Sequence, residues 1–121
     1  MKSLSRCILA ATALTIGVSV TGDEATHREF DVTASRFHFE PASLEVTEGD
    51  RVALTVRSAD GTHGIAIPEF NVKATIPKGG SPVTVEFVAA KAGTYRIDCS
   101  EYCGSGHRQM KGRLVVAARA R

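Results

Sequence analysis

A chain of 121 residues has room for one domain with one core, in which roughly two thirds of the unfolded surface becomes buried. Hydrophobic residues at 43%, eleven Gly and no Trp favour a small domain of strands and turns over a bundle of long helices. The formal charge of +2 falls to zero once residues 1–22 are set aside, because Lys2 and Arg6 go with them and thirteen basic side chains then balance thirteen acidic ones. That balance argues against nucleic acid as a partner, which requires a net basic face.

Residues 1–22 follow their own logic. M-K-S-L-S-R carries two positive charges, the next fourteen residues carry none, and V-S-V-T-G ends the run in small residues. This is the pattern of an export signal ending near Gly22. The alternative is a retained anchor, although a spanning helix needs about 20 apolar residues. Cys7 is a passenger of the apolar run. The expected organisation is therefore a signal segment over 1–22 and one domain over 23–121, exported to the periplasm or the outer face of the cytoplasmic membrane. Membrane association is expected only through an uncleaved N-terminus or a partner subunit.

From residue 29 the chain alternates with period two. Phe30, Val32 and Ala34 form one apolar face, Leu44 and Val46 a second, and Val52, Leu54 and Val56 a third. E-G-D at 48–50, S-A-D-G at 58–61 and K-G-G-S-P at 78–82 read as turns. Val83, Val85 and Phe87 resume the alternation, A-K-A-G at 90–93 turns the chain, Tyr95 and Ile97 lie on the next strand, and Leu114 and Val116 close the set. About seven to eight short strands at this spacing predict an all-β, antiparallel sandwich with Greek-key connections. The terminal A-A-R-A-R reads as a frayed tail.

Charge is unevenly placed. Residues 23–50 hold eight acids and two bases, and residues 51–121 hold five acids and eleven bases. A solvated surface explains this, or an asymmetry that orients docking to a charged partner.

The loop leaving the penultimate strand, C-S-E-Y-C-G-S-G-H-R-Q-M at 99–110, gathers Cys99, Cys103, His107 and Met110. Two thiolates, an imidazole and a thioether form a soft donor set, which favours copper over magnesium, calcium or manganese. Another imidazole is available from His63, read here as lying in the turn after the Val52–Val56 strand. His27 and His38 are read as surface or structural. Four other readings stay open on these residues. They are a mononuclear blue-copper site of His63, Cys103, His107 and Met110, a Cys99–Cys103 disulfide, a Cys2His2 zinc site that leaves Met110 idle, and a thiol enzyme lacking an identifiable Asp or Asn to orient the histidine.

C-x3-C-x3-H-x2-M, with His63 upstream, resembles the binuclear copper (CuA) signature of cytochrome c oxidase subunit II and of nitrous oxide reductase. F-x-F-x-P at 37–41, L-x-V-x-x-G-D at 44–50, H-x-x-x-I-P at 63–68 and G-T-Y-x-x-x-C at 93–99 extend the likeness to a cupredoxin core. The resemblance implies a cupredoxin-like Greek-key sandwich holding two copper ions bridged by the Cys99 and Cys103 thiolates. His63 and Met110 would complete one metal, and His107 with the backbone carbonyl of Glu101 the other. It implies a one-electron carrier, no enzyme by itself, between a cytochrome c-like donor and an oxidase or reductase acceptor. A copper storage or delivery protein could use the same donors. The oxidase family places membrane helices before this domain and Trp in its aromatic tract, whereas this chain shows a signal-like segment and no Trp. Arg108, Lys111 and Arg113 beside the loop predict a basic patch for an acidic or neutral partner. The Glu101 side chain, Asp60, Asp98 and Tyr102 are read as solvent-facing, capping or packing groups around the loops.

Overall fold

The computed structural model of the chain describes residue 17 and residues 25–120, so the proposed signal segment falls almost wholly outside the described residues. Nine strands form: β1 (His27–Ser35), β2 (His38–Glu40), β3 (Ser43–Thr47), β4 (Arg51–Ser58), β5 (His63–Ile67), β6 (Val72–Ile76), β7 (Val83–Val88), β8 (Gly93–Asp98) and β9 (Lys111–Ala117). Two single 3-10 turns, Pro68–Phe70 and His107–Gln109, are the helical elements among the described residues. Among those residues no helix is long and apolar enough to cross a membrane.

The strands make two sheets, one ordered β2-β1-β4-β7 and the other β3-β9-β8-β5-β6. Alternation in the sequence becomes alternation in burial: in β1 Val32 and Ala34 turn inward while Asp31 and Thr33 face solvent. Leu54 and Val56 from one sheet meet Ile65, Ile67, Ile97 and Leu114 from the other in a single buried core. Fully burying side chains of this kind contributes about 1.5–3 kcal/mol each.

Three features depart from the sequence expectation. The pairing is mixed, because β1 runs parallel to β4 and β3 parallel to β9. His63 opens strand β5 and pairs with Ile76, whereas the sequence pattern predicts a turn there. The C-terminal tail is also tied down, since Arg119 donates to the Glu48 carbonyl and to the buried Asp50 carboxylate, both at 2.7 Å.

Candidate metal centre

The register of two strands creates the site. Strand β5 is antiparallel to β8 with Ala66 opposite Asp98, so stepping back along β5 to His63 moves alongside the residues that follow β8. Tyr95, Ile97 and then Cys99 continue one face of β8 toward the core, with Ile97 and Cys99 buried. Close approach of β5 to this loop needs a residue without a side chain at position 64, because a Cβ on Gly64 would strike the Ser100 hydroxyl and lie 2.6 Å from the Glu101 nitrogen.

The sulfur atoms of Cys99 and Cys103 are 3.5 Å apart. Both cysteines are free, and the separation is well beyond the about 2.05 Å of a disulfide. Cys103 Sγ also lies 3.7 Å from His107 Nδ1 and 3.8 Å from Met110 Sδ. The Glu101 carbonyl oxygen is 3.1 Å from Cys99 Sγ. One candidate ligand atom each from His63, Cys99 and Cys103 fall within 4.8 Å of one another, and all three residues are buried. The six residues singled out in the sequence are thus linked into one cluster at the end of the sandwich.

His63 shows which nitrogen is available. Its Nε2 is 2.5 Å from Asp60 Oδ1, while its Nδ1 is buried without a partner. A carboxylate only accepts, so Nε2 carries a proton toward Asp60, and in the neutral ring that tautomer leaves the lone pair on Nδ1. An unpartnered imidazole nitrogen in a sulfur-rich, fully buried setting fits a soft metal ion and has no role in packing.

A sequence profile of the cupredoxin-like domain matches residues 7–116. The chain belongs to the cupredoxin-like domain family. This cupredoxin-like domain is 34% identical over 85 residues to cytochrome c oxidase subunit 2 of Thermus thermophilus, an alignment covering 70% of this chain and 62% of that protein. It is 33% identical over 92 residues to the nitrous-oxide reductase of Cupriavidus necator, covering 72% of this chain and 14% of the reductase. The chain therefore spans only part of these curated relatives. The crystal structure of the periplasmic domain of subunit II of cytochrome oxidase from Bradyrhizobium japonicum matches with a TM-score of 0.67 at 22% identity, over 74% of this chain and 83% of that one. Auracyanin A, a "blue" copper protein from Chloroflexus aurantiacus, matches with a TM-score of 0.60 at 18% identity, over 74% and 98%. At these identities the two structures show a shared fold.

Electrostatics within the cupredoxin-like domain sort the flanking groups. Burial, reinforced by the neighbouring Cys99, pushes the Cys103 thiol up to about 11. Burial also raises Asp60, but donors from Arg36, His63 and Gly61 outweigh it and hold the carboxyl below its ordinary value. Asp98 is likewise raised by burial and lowered further by Lys111 and Arg96, which bind it at 2.7 and 2.8 Å. Within the expected basic patch of Arg108, Lys111 and Arg113, Lys111 shares the Asp98 carboxylate with Arg96. Glu101 accepts from the Thr75 hydroxyl at 3.1 Å. Tyr102 is 77% exposed, and its ring centroid lies 5.8 Å from that of His107.

Sequence reasoning missed Arg36, whose Nε donates to the Cys103 carbonyl at 3.0 Å. Nothing local marks it, because the two residues are 67 positions apart. Asp60 had a signal in its place three residues before His63.

Proposed function

We propose that this domain is a one-electron carrier whose Cys99 and Cys103 thiolates, His63, His107, Met110 and the Glu101 carbonyl hold a binuclear copper centre of the CuA kind. The observation that carries the reading is the pair of buried sulfurs 3.5 Å apart beside an unpartnered His63 Nδ1. A pair of copper ions sharing both thiolates would supply a single delocalised electron with little change in bonding on oxidation or reduction.

The protein's own residues supply the rest. Asp60 fixes the His63 tautomer, the sandwich end fixes the spacing of the sulfurs, and the fully buried Met110 closes the site from the core side. Burial of Cys99, Cys103, His63 and Met110 keeps water from the donors. His107 is only half-buried and carries the exposed Tyr102 beside it, so electrons enter or leave on that side. No substrate is transformed by this chain alone. Its partners would be a cytochrome c-like donor and an oxidase or reductase acceptor, met in the periplasm or at the outer face of the cytoplasmic membrane after export directed by residues 1–22, or with those residues kept as an anchor.

Anaerobic titration of the reduced chain with copper, followed by metal quantification after desalting, tests the reading. Two copper ions per chain are expected, retained through repeated redox cycles. Saturation at one copper would favour a mononuclear blue-copper site. Rapid loss of copper to a metal-free acceptor would favour a delivery protein.

A further inference from the structure

The two segments that carry the candidate ligands are separate in sequence and, besides the β5–β8 pairing and the contact of the Gly64 N–H with the Cys99 sulfur, they are joined by a chain of hydrogen bonds through Asp60 and Arg36. Asp60 Oδ1 accepts from His63 Nε2 at 2.5 Å and from the Gly61 N–H at 2.7 Å, while Oδ2 accepts from the Arg36 N–H at 2.8 Å. The Arg36 side chain then donates through Nε to the Cys103 carbonyl at 3.0 Å. We infer that Arg36 and Asp60 form a strap from His63 to Cys103, so that the β1–β2 turn sets the spacing between the imidazole and the sulfur pair. This rests on the copper reading above and assigns the two residues a positioning role, since neither is itself a ligand.

Each part of the strap has a chemical requirement. Only an ionised carboxylate has the acceptor capacity for three donors arriving on both oxygens, and an amide in its place would turn an NH2 group toward one of them. Arg36 contributes twice, through its main chain to Asp60 and through its side chain to Cys103. The turn that holds it is anchored at both sides. Ala59 N–H donates to the Ala34 carbonyl at 2.9 Å, and the Phe37 ring lies against Gly104 and Gly106, where a Cβ would collide with it. The ligand loop therefore leans on residues 36 and 37 along Cys103–Gly106, next to His107.

Variants Arg36→Met, Arg36→Lys, Asp60→Asn and the Arg36→Met/Asp60→Asn double, made in the full chain, test the strap, with Arg57→Met as a control that removes the same charge from the exposed face of β4. Copper competition against a chelator should show about tenfold or greater weakening for Arg36→Met and for Asp60→Asn, partial recovery in Arg36→Lys, and no change in Arg57→Met. The double variant should be no weaker than the poorer single, because each breaks the same connection. In the metal-free protein, the His63 Nε2 proton should give a slowly exchanging NMR signal that is lost in Asp60→Asn and exchanges faster in Arg36→Met.

Losses that multiply in the double variant, or a His63 proton unaffected by Arg36→Met, would overturn the strap. A parent chain that binds no copper would overturn the metal reading instead, and the NMR arm would still judge the strap.

Discussion

The main-chain N–H of Gly64 points at the sulfur of Cys99, 3.5 Å away, and joins the start of β5 to the loop after β8. This contact exists because residue 64 has no Cβ. Substituting Gly64→Ala places a methyl against the Ser100 hydroxyl and the Glu101 nitrogen. Destabilisation of about 1–3 kcal/mol is expected from overpacking, together with weaker copper binding as β5 is pushed off the loop. Denaturant unfolding of the metal-free protein and copper competition measure the two effects, with the exposed Thr62→Ala as the neutral comparison.

Met110 is wholly buried and sits 3.8 Å from the Cys103 sulfur. Its volume fills the core, the proposed function makes its thioether a metal ligand, and Met110→Leu separates these roles. The metal-free protein should lose less than about 1.5 kcal/mol, while the loaded protein should change both its visible spectrum and its reduction potential. An unaltered spectrum would remove Met110 from the ligand set.

Burial and Cys99 raise the Cys103 thiol from 9.0 to about 11. Between these values the folded state keeps its proton while the unfolded chain releases it. Stability is therefore fully present below pH 9 and declines as pH rises toward 11. Urea midpoints of the reduced, metal-free protein should fall across that window, and Cys103→Ser should flatten the decline.

Arg108 is exposed beside His107, whereas Lys111 is held by Asp98 at 2.7 Å. If the His107 side receives an acidic partner, Arg108→Glu should slow electron transfer with that partner at low salt far more than Lys111→Glu, and added salt should shrink the difference. Unchanged rates on reversing both Arg108 and Lys111 would place docking elsewhere.

Much of this was readable in the chain because the governing patterns are local. Val32, Ala34, Leu54 and Val56 declare their strands by alternation, and the 99–110 loop declares its donors by spacing. Strand β5 escaped notice because His63, Gly64 and Ile65 are all buried in succession, which removes the alternation that marks a half-exposed strand. Gly64 is buried against the loop, not against the opposite sheet. The parallel pairing of β1 with β4 and of β3 with β9 depends on how distant segments assemble, which no short window encodes. Arg36 was invisible for the same reason, while the tail failed as a frayed segment because Asp50, a buried carboxylate, captures Arg119.

The central claim is that Cys99 and Cys103 together serve two metals. Electron paramagnetic resonance of the copper-loaded, partly oxidised protein tests it most directly, with Cys99→Ser measured alongside. One electron shared equally over two copper nuclei predicts a seven-line hyperfine pattern that collapses in the variant. A four-line pattern that survives Cys99→Ser would show a single copper on Cys103 and contradict the claim.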